Sequence, residues 1–145
     1  MTQRTIGVVD YGVGNLASVC RTLNTLGYRT RVSRDLEVLN GVDLLLLPGV
    51  GAFPPAMAAL HRYNLVEYLQ RAARQARPIV GICLGMQLMA DVSTEHQTTP
   101  GLGLIPGQVS ALTDGHWHIG WNTIEVLDQD PQGLYYRMTD ARVVK

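Results

Sequence analysis

The chain has 145 residues, 46% of them hydrophobic, and its 12 basic and 12 acidic side chains cancel to a formal charge of zero. That length and composition fit one domain with a substantial apolar core, and the charge balance gives no electrostatic footprint for nucleic acid or an anionic membrane surface. The longest apolar run, near Leu44–Leu47, is too short to span a bilayer, and MTQRTIGVVDYG holds no long apolar signal core.

Strand and helix patterns alternate along the first two thirds of the sequence. Thr5–Asp10 is a short, β-branched apolar run that reads as a buried strand. Leu16, Val19, Leu23 and Leu26 have helical spacing, with Asn15 as the cap before them and Gly27 as the stop after them. Tyr28–Ser33 and Asp43–Leu47 read as two further strands, the second closed by Pro48 and Gly49. Helices follow over Pro55–His61 and Leu65–Gln75, then a fourth strand over Ile79–Ile82 and a helix over Gly85–Ala90. Strands joined by helices predict an α/β fold with a mainly parallel sheet flanked by helices. Beyond Gly103 the pattern becomes strand and turn, with strands expected over Leu104–Leu112, Thr123–Leu127 and Leu134–Met138. No repeat or linker divides the chain, so residues 1–145 are expected to form a single domain.

In open parallel sheets, ligands sit beyond the carboxyl ends of the strands. Three loops leave such ends here, Tyr11–Asn15, Pro48–Phe53 and Cys83–Gln87, and the fold should bring them together. Gly81-Ile-Cys83-Leu-Gly85 has the spacing of a nucleophile elbow, in which a sharp strand-to-helix turn exposes the central side chain. A thiol at a helix start is favoured as thiolate, and the Leu84 amide would face a developing oxyanion. The competing reading is a small hydrophobe in the core, but the flanking glycines favour a nucleophile. Pro48-Gly-Val-Gly51 can supply the remaining oxyanion donors, from Gly49, Val50 and Gly51, because glycines let the backbone turn an N–H toward a neighbouring site. Cys20 and Cys83 show no disulfide framework, which points to thiols in a reducing, cytoplasmic setting.

Two other patterns compete. Gly12-Val-Gly14-Asn-Leu-Ala17 matches G-x-G-x-x-A between a strand and a helix, with Asp35 near the end of the second strand, so a dinucleotide-binding protein is an alternative. His116-Trp-His118 would place two imidazoles on one strand face, but a third ligand is lacking, so no metal or other cofactor is expected.

Taken together, Asp10-Tyr-Gly-Val-Gly-Asn15, Pro48-Gly-Val-Gly-Ala-Phe53, Gly81-Ile-Cys-Leu-Gly-Met-Gln87 and His118-Ile-Gly-Trp-Asn122 resemble the class I glutamine amidotransferases. Within that class they are similar to the glutaminase subunits of imidazole glycerol phosphate synthase. The resemblance runs from Ile6 to about Tyr136 and implies a flavodoxin-like amidotransferase fold. It implies that Cys83 attacks glutamine, that Gly49–Gly51 and Leu84 hold the oxyanion, and that Gln87 helps bind the substrate. It further implies a heterodimer with a (β/α)8-barrel cyclase subunit that receives the ammonia in histidine biosynthesis. Asn15, His118, Trp121 and Asn122 match positions expected at that partner interface.

The sequence departs from the resemblance toward its end. Family members carry their catalytic His and Glu in a His-Pro-Glu tripeptide, which these 145 residues lack, and Gly133–Arg142 diverges from a strand expected to line the glutamine pocket. The expectation is therefore a C-terminally truncated domain, without its last strands and helix and with doubtful activity. A paralogous amidotransferase serving another ammonia acceptor would show the same elbow.

Overall fold

The computed structural model describes residues 3–111 and, beyond them, the strands at 124–130 and 133–138. The chain divides into two compact units, Met1–Ser110 and Ala111–Lys145.

The first unit is built on a four-stranded, all-parallel sheet of β1 (Thr5–Val9), β2 (Arg29–Ser33), β3 (Leu44–Leu47) and β4 (Ile79–Gly81), in the order β2-β1-β3-β4. The sequence explains the order. TIGVV and LLLL are apolar on both faces and occupy the two central positions, whereas RTRVS, with exposed arginines, forms an edge. Alternation divides the central strands between two cores. Ile6, Val8 and Leu46 face α1 (Leu16–Thr25) and meet Leu16, Val19, Cys20 and Leu23. Val9, Leu45 and Leu47 face the larger core. That core is filled by Phe53, Ala56, Met57 and Leu60 of α3 (Phe53–Arg62) and by Leu65, Val66, Tyr68, Leu69 and Ala72 of α4 (Leu65–Arg74). In both helices the buried residues recur at helical spacing, which is what held them to this face.

Several elements differ from the sequence expectation. A short helix, α2 (Leu36–Asn40), fills the span left unassigned between the second and third strands; it is capped by the Asp35 carboxylate, which accepts from Glu37 N–H at 2.9 Å. The helix α5 spans Leu84–Leu88 and stops before Ala90, which instead opens β5 (Ala90–Ser93). The strand β5 pairs antiparallel with β6 (Thr99–Pro100) and parallel with β7 (Ile105–Val109) in a small second sheet. Gly101 explains the tight return. A Cβ there would drive into the Ala90 carbonyl, so only glycine lets the chain fold back on β5.

The second unit contains an antiparallel hairpin of β8 (Ile124–Asp130) and β9 (Gly133–Met138), with a register shift between Val126 and Asp128. The strand expected to end at Leu127 thus continues three residues further, because a bulge absorbs the irregular Leu127-Asp128 step rather than ending the pairing.

Candidate active site

At the carboxyl end of β4 the chain turns sharply into α5. Ile82 C=O accepts from Gly85 N–H at 2.9 Å across this turn, and Cys83, second of its four residues, has φ 54° and ψ −119°. Those angles belong to the first central position of a type II′ turn, a place normally held by glycine. The backbone thus holds an L residue in a conformation it seldom adopts, and the thiol is exposed. Leu84, by contrast, is buried, so adjacent residues point to opposite environments.

The glycines around the turn are there because nothing larger fits. A Cβ on Gly81 would stand 2.5 Å from the Met86 Cα, and one on Gly85 would collide with the Leu47 carbonyl of β3. That carbonyl also accepts from Ile82 N–H at 3.0 Å. The elbow is therefore clamped against the end of the neighbouring strand.

The Pro48–Gly51 loop leaves that same strand end. Gly49 is buried, and a Cβ on it would lie 2.5 Å from the Tyr11 hydroxyl and 3.0 Å from both Gly85 N and Leu84 Cβ. Val50 is 57% exposed and Gly51 has φ 102°, so the trio expected to act together divides into one residue packed on the elbow and two at the rim. From the other side, the position of a Gly14 Cβ is 3.6 Å from Gly49 Cα and N. All three loops read from the sequence thus meet at the carboxyl ends of β1, β3 and β4. Gln87 is half-buried one turn into α5, and its N–H donates to the Cys83 carbonyl at 3.2 Å.

Two groups at this edge escaped the sequence reading. Tyr11 is 1% exposed, and its hydroxyl donates to the Pro48 carbonyl at 2.6 Å. Burial, with the nearby Cys83 charge second, pushes this phenol up from 10.0 to about 12. The Asp10 carboxylate accepts from Gly12 N–H at 3.0 Å and pairs with Arg34 at 2.7 Å, while Arg34 stacks 4.2 Å from the Tyr63 ring centre. The Arg34 hydrogen bond is the main cause holding the Asp10 carboxyl below its usual range. The signal for Tyr11 was an aromatic residue two positions after the central strand β1, but its place in the larger core and its bond to the Pro48 carbonyl depend on residues far along the chain.

Asn15 is exposed and caps α1, its side-chain oxygen accepting from Ser18 N–H at 3.2 Å. The glycine-rich turn before it packs on Gly49, and Asp35 is engaged as a helix cap. Both features of the dinucleotide pattern are therefore occupied by local structure. His116, His118, Trp121 and Asn122 lie outside the described residues. A hollow of about 580 Å³ lined by Arg4, Ile6, Asp43, Leu44, Pro78 and Val80, among others, opens near the amino ends of the strands, and Cys83 is not part of its lining. No helix among the described residues is long and apolar enough to cross a membrane.

An exposed thiol, a strained turn and amide-bearing glycines can together perform nucleophilic attack on an amide carbonyl with stabilisation of the oxyanion. Comparisons with known proteins agree with this chemistry. The family described as glutamine amidotransferase class-I matches residues 7–143. A relative named imidazole glycerol phosphate synthase subunit HisH, from Exiguobacterium sibiricum, is 47% identical over 122 residues, covering 83% of this chain and 62% of the relative. The protein of the same name from Lactococcus lactis is 42% identical over 137 residues, 93% of this chain and 68% of its own length. That from Symbiobacterium thermophilum is 48% identical over 83% of this chain and 58% of the relative. This chain therefore spans roughly three fifths to two thirds of these relatives. A crystal structure of a glutamine amidotransferase superposes with a TM-score of 0.69 at 20% identity, covering 92% of this chain and 69% of that one, which shows the shared fold. With a family match across both units and relatives above 40% identity, the chain belongs to the class-I glutamine amidotransferases.

Proposed function

We propose that this chain is the glutaminase part of an imidazole glycerol phosphate synthase, with Cys83 as its nucleophile. The thiolate attacks the side-chain amide carbon of glutamine, forming a C–S bond and an oxyanion that accepts hydrogen bonds from the Leu84 and Gly49–Gly51 amides. Collapse breaks the C–N bond, and the leaving nitrogen takes up the proton that the thiol gave up on forming the thiolate and departs as ammonia. Water then cleaves the γ-glutamyl thioester, releasing glutamate and restoring the thiol. Gln87 helps hold the substrate. The ammonia passes to a (β/α)8-barrel cyclase subunit, against which Asn15, His118, Trp121 and Asn122 dock.

The single observation carrying this reading is the elbow itself, with Cys83 exposed at φ 54° and the buried Gly49 packed on the Leu84–Gly85 step that follows it. The relatives' shared name supports the choice of synthase, and the match over residues 7–143 supports one amidotransferase domain containing both units. Two free thiols support a reducing, cytoplasmic setting.

The test is glutamate release from glutamine by the chain mixed with its cyclase partner. Release that disappears in Cys83→Ala is expected; release of equal rate in Cys83→Ala overturns the proposal.

A further inference from the structure

Pro48–Gly51 is anchored unevenly. Its distal half touches little: Val50 is 57% exposed, and a Cβ on Gly51 would meet nothing within 4 Å. Its proximal end is held by the Tyr11 hydroxyl, which donates to the Pro48 carbonyl at 2.6 Å from a fully enclosed position. The Pro48–Gly49 peptide is trans, so its C=O and N–H point in opposite directions. Fixing the carbonyl toward Tyr11 therefore fixes the Gly49 N–H away from it, and sets the peptide plane from which the loop departs. Tyr11 also packs where a Gly49 Cβ would be, so hydroxyl and loop share one contact with the first residues of α5.

We infer that Tyr11 is a positioning residue for the oxyanion donors: its hydroxyl holds the Pro48 carbonyl and thereby aims the Gly49–Gly51 amides at a substrate carbonyl on Cys83. This rests on the glutaminase reading. Tyr11 does not touch the substrate and acts only through the loop. The high proton affinity of its buried phenol keeps it a donor at neutral pH.

Two electrophiles separate positioning from folding. A glutamine-like diazoketone, 6-diazo-5-oxonorleucine, alkylates a thiolate with loss of dinitrogen, the thiol proton passing to the diazo carbon, and its ketone oxygen needs the oxyanion donors. Iodoacetamide alkylates the same sulfur without them. The rate of Cys83 labelling by each is measured by mass spectrometry of the peptide that contains Cys83, which separates it from Cys20, on the full chain and on Tyr11→Phe. The diazoketone rate should fall by about tenfold or more in Tyr11→Phe while the iodoacetamide rate stays within about twofold. Equal rates for the diazoketone in both proteins overturn the role of Tyr11 and leave the glutaminase reading standing. A parallel fall with both reagents also overturns it, since the sulfur rather than the loop has then changed. Failure of the diazoketone to label the unsubstituted chain, with iodoacetamide still reacting, sinks both readings. If Tyr11→Phe does not fold, 4-fluorophenylalanine at position 11 keeps the volume, removes the donor and is read by the same criteria.

Discussion

Cys83 carries its side chain on a backbone that glycine would adopt without strain. An L residue held at such positive φ costs of order 1–3 kcal/mol, and only a well-determined surrounding keeps it there. Here the surroundings are Gly81 and Gly85, which admit Met86 and the Leu47 carbonyl where side chains would otherwise stand. Glycine normally lowers stability relative to alanine by about 0.5–1 kcal/mol; at this position the order should reverse. Cys83→Gly should be more stable than Cys83→Ala by about 1 kcal/mol in chemical denaturation, although both remove the same sulfur. A Cys83→Ala protein as stable as Cys83→Gly would show that the turn is unstrained. The spacing Gly-x-Cys-x-Gly made this elbow legible in the sequence because both glycines are required by contacts within a few residues or with the adjacent strand end.

Elements were legible to different degrees. The helices α3 and α4 were visible because their apolar residues repeat with helical spacing, and β1 and β3 because a short apolar run can be buried on both faces. The helix α2 has only five residues and no repeat long enough to read; its existence depends on the Asp35 cap and on what lies beneath it. Arg77 supplies part of that support. Its guanidinium donates to the Leu39 carbonyl, to the Val42 carbonyl at 2.7 Å and to the Tyr68 hydroxyl at 2.8 Å, joining the end of α2 to α4. Arg77→Met keeps the stem and leaves these carbonyls without a charged donor. It should lower the unfolding free energy by about 1–3 kcal/mol, measured by urea denaturation, with hydrogen exchange accelerated at residues 36–42. An unchanged midpoint would mean that water replaces the guanidinium without loss.

Across the first unit, three strand ends are tied into one edge by a single buried phenol between β1 and the β3 loop, next to the turn after β4. Its elevated proton affinity links the site to the stability of the fold. Below pH 10 the phenol is neutral in both states and its contribution is complete. Between pH 10 and about 12 the unfolded chain ionises first, so stability falls, and the loss is complete once pH passes the folded value. A shift from 10.0 to about 12 corresponds to a loss of about 2–3 kcal/mol. Tyr11→Phe should show a flatter decline in unfolding free energy over that alkaline range, whatever its stability at neutral pH; a decline as steep as that of the unsubstituted chain would place the ionisation elsewhere. The sequence by itself determined the strand-helix alternation, the elbow and the convergence of three loops, since each follows from periodicity or from glycines at fixed spacing. Only the tertiary structure decided that Gly49 is buried while Val50 is exposed and that Tyr11 reaches the Pro48 carbonyl. Those outcomes join residues up to 37 positions apart, as in the bond from Tyr11 to Pro48, and long-range packing of that kind leaves no local pattern to read.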